Sequence, residues 1–225
     1  MPSEIVSYYD RLADTYDADR FAGLYGKFLH QQEVAILRRM IPAAARAILD
    51  IGCGTGRLTG FATCGCDPSL SSVTIATRKR PELNFVAADL TAMPFASSSF
   101  DAAFCFHVFM HLDLDTIETG LREIARVLRP GGTLVADVAS GVRRRLLRHK
   151  PKGWHGATSL SVRELSNLAA TAGLRQSGVS GTIILPLHRL PERIRMPLSA
   201  LDGFVADRFP DLASHVVGSF AKVRA

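Results

Sequence analysis

Short, almost uninterrupted apolar runs alternate along this chain with segments whose apolar residues recur every three to four positions, and that alternation constrains the fold most. Ala47-Ile-Leu-Asp-Ile51 ends at Gly52, Thr63–Cys66 ends at Asp67, and Asn84–Ala88 ends at Asp89. Asp101–Phe106 and Thr133–Ala136 continue the series. Strands this apolar are buried on both faces, as in a parallel sheet covered by helices. The intervening helices start near Ser69 and at Thr116–Leu128, the latter capped by Asp115 and closed by Pro130-Gly131-Gly132. Ser161-Val-Arg-Glu164 is a capping box opening another helix, which Gly173 closes. Arg175–Ser180 and Val216–Val223 read as strands six and seven, separated by a Pro- and Arg-rich segment. Residues 4–40 are helical as well, through Ile5, Tyr8, Tyr9, Leu12 and Tyr16, then Val34, Ile36, Leu37 and Met40, until Pro42. The expected class is α/β, Rossmann-like and doubly wound, with an N-terminal helical cap.

At 225 residues with 47% hydrophobic content, the chain suits one domain with an ample core, and the composition excludes disorder. Its expected parts are a cap over 1–42, a ligand-binding core over 46–140 and an insertion over 181–212. The longest apolar stretch, Phe100 to Leu112, is broken by Asp101, His107 and His111 and is too short to span a bilayer. Met1-Pro2-Ser3-Glu4 lacks the layout of a signal peptide, so a soluble cytoplasmic protein is expected. Cys53, Cys64, Cys66 and Cys105 are too few and too irregular for a disulfide framework, and Cys64-Gly-Cys66 has neither zinc nor redox spacing. Net charge is +6, carried by 22 arginines and five lysines. The run Arg143-Arg144-Arg145, Arg148, His149, Lys150 and Lys152 reads first as a solvated face. Lining the mouth of a pocket is the sharper alternative, and nucleic-acid contact the third.

Chemistry concentrates where the first three strands end. Asp50-Ile-Gly52-Cys-Gly54-Thr-Gly56 is a turn whose glycines let a ligand press against the backbone. In open sheets ligands bind beyond the carboxyl ends of the strands at the switch point. Asp67 can accept both hydroxyls of a ribose there, and Asp89 can accept from an adenine amino group, so an adenosine fits along three consecutive strand ends. A dinucleotide is disfavoured: the turn is GxGxG, and Asp67 falls short of the ~20-residue offset of its acidic residue.

With those motifs assembled, the sequence resembles the class I S-adenosylmethionine-dependent methyltransferases of the small-molecule type. The matching segments are Ile48-Leu-Asp-Ile-Gly-Cys-Gly-Thr-Gly56, Asp67-Pro-Ser, Ala88-Asp89-Leu90, Met93-Pro-Phe95, Ser99-Phe100-Asp101, His111-Leu112 and Arg126-Val-Leu-Arg-Pro-Gly-Gly132. The resemblance covers residues 8–138 and thins beyond. It implies a seven-stranded, mostly parallel sheet with an antiparallel last strand, and S-adenosylmethionine as cofactor. By it, Gly52, Gly54 and Gly56 flank the methionine moiety, Asp67 meets the ribose, Asp89 with Leu90 the adenine, and Asp50 is a further cofactor contact. Phe106 and His107 lie beside the methyl group. Tyr9 and Tyr16, on a helical segment that covers the cofactor, are further contacts. One departure stands out: only eleven positions separate Gly56 from Asp67, room for about two helical turns starting at Arg57-Leu58-Thr59.

Methyl transfer is an in-line displacement, so the protein mainly aligns a nucleophile; a hydroxyl acceptor also needs a base, for which His107 and His111 are the candidates. For His111 a structural role is the competing reading, and for His107 that of a bystander. Phe106-His107-Val108-Phe109 is not the motif used on exocyclic amines, and no Pro-Cys pair serves cytosine C5 methylation. For metal-assisted catechol methylation, Asp113, Asp115 and Asp137 are conceivable ligands, but Asp115 is already explained as a cap, so no metal is expected. The expectation is methylation of a small organic acceptor at O, N or C, such as a specialised metabolite. Residues 181–212 and 1–40 would form the acceptor pocket, with neither membrane nor nucleic acid as partner. The alternatives are a cyclase or pericyclase using the bound cofactor as scaffold, a non-catalytic cofactor-binding protein, and, further behind, an RNA methyltransferase.

Overall fold

The computed structural model describes residues 3–151 and 153–224; Met1, Pro2 and Lys152, named above, lie outside the described residues. Three helices come first: α1 (Ser3–Leu12), α2 (Tyr16–Phe21) and α3 (Leu24–Met40). The alternating part runs β1 (Ile48–Ile51), β2 (Cys64–Asp67), α4 (Leu70–Lys79), β3 (Asn84–Ala87), β4 (Phe100–Cys105), α5 (Leu114–Val127) and β5 (Leu128–Ala139). Then come α6 (Gly141–Leu146), α7 (Val162–Thr171), β6 (Leu174–Thr182), α8 (Glu192–Arg208) and β7 (His215–Lys222). The seven strands form one sheet in the order β3-β2-β1-β4-β5-β7-β6. β7 runs antiparallel to both of its neighbours, β5 and β6, while the pairs from β3 to β5 are parallel. This is the Rossmann-like sheet expected, and its order reverses between β1 and β4, beside the glycine turn.

The core lies between this sheet and its helices, with Leu49, Phe104, Phe109, Ile117 and Leu134 fully buried. On one face Ile36 and Leu37 of α3 pack with Leu58, Phe104 and Val135. The segment after β6 joins a separate cluster in which Phe28 and Leu29 of α3 meet Ile183 and Leu187. Among the described residues no helix is long and apolar enough to cross a membrane.

Three local expectations are corrected. The first crossover is not a two-turn helix but one 3-10 turn, Thr59–Phe61, stitched to the glycine turn by Thr59 Oγ1 donating to Gly56 O at 2.7 Å. Gly52, Gly54 and Gly56 all have positive φ, and eleven positions leave no length for an α-helix after them. The cap of α5 is Asp113, whose carboxylate accepts from the Thr116 N–H at 2.7 Å. Asp115 sits instead in the first turn, two positions past the cap. Pro130-Gly131-Gly132 does not close that helix; it lies inside β5, at a bulge where the pairing jumps from Phe100–Leu128 to Ala102–Thr133.

Candidate active site

β1 carries Asp50 to the carboxyl edge of the sheet, and the chain turns at once over the end of β2, with the N–H groups of Gly52 and Cys53 donating to Cys66 O at 2.8 and 3.0 Å. Gly52 has φ +70, and a Cβ there would strike the Val108 side chain, so the close passage admits no other residue. Gly54 N–H donates to one Asp67 oxygen at 2.9 Å and Ser69 N–H to the other at 2.8 Å. Asp67 is thereby fixed at the tip of β2, and burial pushes its carboxyl up to about 6 although both N–H groups oppose the shift.

A cleft with about 850 Å³ of empty space, solvent at its mouth included, opens over this turn. Asp50, Gly52, Gly54, Asp67, Tyr9, Tyr16, Phe106, His107 and His111 line it together, so most of the expected site converges. Gly56 does not line it. Asp89 and Leu90 stand outside the lining as well: Asp89 accepts from the Thr91 N–H and hydroxyl at 2.9 and 2.8 Å, and Leu90 is buried against Gly120. The lining also includes Ile5, Val6, Phe21, Thr55 and Arg57, none of which was assigned to the site from the sequence. Arg57 had a legible signal, a cation directly after a glycine turn. Among the described residues none of 181–212 lines the cleft; the cap does, through Ile5, Val6 and Tyr9 of α1 and Tyr16 and Phe21 of α2.

A cofactor with an ammonium, a ribose and a sulfonium suits these residues. Asp50 is 3% exposed, and its Oδ2 has no hydrogen-bond partner. Burial pushes its carboxyl well above the usual range, and Asp67 adds to that. A buried acceptor without a donor is costly unless a ligand brings one. The ammonium of a methionine moiety is such a donor, and Asp67, held only by backbone N–H groups, has lone pairs left for ribose hydroxyls.

The two histidines differ sharply. His111 Nε2 lies 3.1 Å from Tyr9 Oη, and burial, with the imidazoles of His155 and His107 beside it, lowers its pKa to about 4. His107 sits at the end of β4 with φ +60, its Nε2 on the Glu33 carboxylate and its Nδ1 3.4 Å from Asp137 Oδ2. Its own N–H donates to Asp137 Oδ1 at 2.6 Å. Burial works against its charge, but Asp137 and Glu33 outweigh it and raise the pKa, so neither ring nitrogen stands free to take a proton.

Aromatic rings wall the region around Tyr9 and His111. Trp154 stacks on His155 at 3.8 Å between centroids, and Tyr8 meets both edge-on at 5.2 and 4.7 Å. The turn carrying them is held by Arg144, which donates to Gly156 O. Arg143 donates to the carbonyls of Ile184 and Leu212 at 3.0 and 2.5 Å. Two cations of the basic run are therefore engaged with backbone rather than presented as a solvated face. All four cysteines are free thiols.

Comparison with known proteins bears on the fold. A family model described as a methyltransferase domain matches residues 49–136. A demethylmenaquinone methyltransferase of Paenarthrobacter aurescens (strain TC1) is 30% identical over 150 residues, covering 60% of this chain and 54% of that protein. The O-methyltransferase cnsE of Penicillium expansum is 31% identical over 171 residues, covering 62% and 59%. The chain thus spans somewhat more than half the length of these relatives. A crystal structure from Thermotoga maritima, described as a SAM-dependent methyltransferase and possible histamine N-methyltransferase, superposes with TM-score 0.73 at 24% identity, covering 95% of this chain and 97% of that one. Residues 49–136 thus match a methyltransferase domain family, and the chain shares the fold of the Thermotoga maritima structure.

Proposed function

We propose that this protein transfers a methyl group to a nucleophilic atom of a small organic acceptor held between the cofactor cleft and the aromatic wall. The observation carrying this reading is that one cleft is lined by Asp50, with its unpartnered oxygen, and Asp67 together with Tyr9, His107 and His111. Bound S-adenosylmethionine supplies an electrophilic methyl on a sulfonium sulfur. Asp50 would hold the methionine ammonium, Asp67 the ribose hydroxyls, and the glycine turn would let both approach the backbone. Asp89 and Leu90 would meet the adenine at the end of β3.

The chain's other contribution is alignment and exclusion of water, which is most of what an in-line displacement requires. Tyr9 Oη, paired with His111 and facing the cleft, offers a hydroxyl to orient a polar acceptor group. A His111 imidazole lowered to about 4 is a weak base at neutral pH, and His107 is enclosed by carboxylates. The site therefore favours acceptors that arrive as nucleophiles, such as phenolates, enolates and amines, over alcohols that must first lose a proton. Incubation with S-adenosylmethionine and an acceptor panel, read by product mass and S-adenosylhomocysteine, tests this. A methylated phenol or quinol supports the reading. Cofactor binding without product from any acceptor class, or cyclisation without release of S-adenosylhomocysteine, overturns it.

A further inference from the structure

We propose that His107, Asp137 and His215 form a binding site for a divalent first-row transition ion beside the cofactor cleft. The three residues come from the ends of β4 and β5 and the start of β7; the sequence offered Asp137 as a conceivable metal ligand but neither histidine. One donor atom from each lies within 4.8 Å of the other two. His107 Nδ1 is 3.4 Å from Asp137 Oδ2, and the rings of His107 and His215 are 5.0 Å apart, nearly perpendicular. Two donors each ~2.1 Å from one ion stand at most ~4.2 Å apart, so closure needs side-chain shifts below about 1 Å.

The surroundings are those of an oriented ligand set. A ligating histidine usually has its second ring nitrogen on a carboxylate, which fixes the ring and its tautomer. His107 has that arrangement: Nδ1 faces the cluster, and Nε2 rests on Glu33, itself paired with Arg57. His215 places Nδ1 3.4 Å from Thr182 Oγ1, leaving Nε2 for an ion. Asp137 is pinned through its other oxygen by the His107 N–H. Two imidazoles and one carboxylate, with further positions open, make a donor set suited to zinc or ferrous iron rather than magnesium or calcium. His107 belongs to both the cluster and the cleft, so an ion there could hold an acceptor oxygen and lower its pKa, supplying what the site lacks in a free base. That catalytic use rests on the proposed methyl transfer; the binding site does not.

The test is metal binding without cofactor or acceptor. Protein stripped with chelator is titrated with Zn²⁺ by calorimetry and with Co²⁺ by absorption, and metal content is measured after desalting. One equivalent per chain is expected, with the ligand-field bands of nitrogen and oxygen ligation, no thiolate charge-transfer band, and a Tm that rises with added Zn²⁺. His215→Ala should lose the equivalent, and Glu33→Gln should weaken it about ten- to hundredfold. The Tm of His215→Ala without metal shows whether that variant is folded; Asp137→Asn is the second probe. No retained ion in the wild-type protein overturns the site, as does undiminished binding in both His215→Ala and Asp137→Asn, or a thiolate band reporting cysteine ligation. These readouts leave the methyl-transfer reading untouched.

Discussion

Arg57 Nη1 lies 2.5 Å from Glu33 Oε2, and the other oxygen of that carboxylate rests on His107. Glu33 is fully buried in α3, so one interior charge ties the cap to the residue after the glycine turn and to the end of β4. Burial alone would raise its pKa, but His107 and Arg57 hold it down to about 2. The cap is therefore fixed to the sheet by electrostatics as well as by the packing of Ile36 and Leu37.

Replacing Glu33 by Gln should cost about 3–5 kcal/mol of stability, because removing one member of a buried pair leaves the partner charge without compensation. Urea unfolding of the variant checks the magnitude. A double-mutant cycle with Arg57→Met should show coupling well beyond the ~0–1 kcal/mol of a surface pair.

Cofactor binding should weaken in acid through Asp67. Its carboxyl is raised to about 6 in the free protein, and only the ionised form accepts from two hydroxyls. Below about pH 6 each unit should raise the cofactor Kd about tenfold, provided the protein stays folded. The same shift has the opposite sign for stability: a carboxyl whose pKa is higher folded than unfolded binds more protons in the native state. Asp67 therefore destabilises the fold as pH rises from about 3.8 towards 6. Calorimetric titrations between pH 5 and pH 8 test the binding limb (the range is about one unit below and two above the shifted value). Asp67→Asn should bind more weakly with no such slope.

The sheet was legible because strand burial writes itself into sequence: Leu49 and Ile51, Ala103 and Cys105, and Leu134 and Ala136 are all near zero exposure, and each lies in an apolar run. Asp50 and Asp67 were legible because they end such runs. Glu33 was not. It is a lone acidic residue among the polar positions of α3, and only the tertiary fold brings His107 and Arg57 against it. The cap of α5 was misplaced by two residues, since Asp113 and Asp115 are chemically alike and only the Thr116 N–H distinguishes them. The 3-10 crossover was missed because Arg57-Leu58-Thr59 has acceptable helix residues, while the limit is the distance between the glycine turn and β2.

Trp154→Ala should act on the acceptor and spare the cofactor. The indole packs on Tyr9 and His111 at 6.2 and 5.4 Å between ring centroids but does not line the cofactor cleft. Loss of an edge-on aromatic contact is worth about 0.5–1.5 kcal/mol, so KM for an aromatic acceptor should rise about two- to tenfold. The Kd for S-adenosylhomocysteine should be unchanged. An equal rise in both would place Trp154 in the general packing of the cap.

Asp50→Asn should separate stability from affinity in opposite directions. In the free protein the Asp50 carboxyl is buried with an unpartnered oxygen, and its raised pKa means that folding at neutral pH works against ionisation. Asparagine removes that proton linkage while keeping nearly the same volume. The variant should therefore melt higher than wild type at pH 8, by at least about 2 °C for a gain near 1 kcal/mol. Near pH 4, where the wild-type carboxyl is protonated in the fold, the two should converge. Affinity should move the other way: losing a charge-assisted hydrogen bond to the ammonium costs about 1.5–3 kcal/mol, about ten- to hundredfold in Kd. Differential scanning calorimetry and cofactor titration on the same preparations decide it. A variant that binds S-adenosylmethionine as tightly as wild type would remove Asp50 from the cofactor site and leave its empty oxygen to be explained by another ligand.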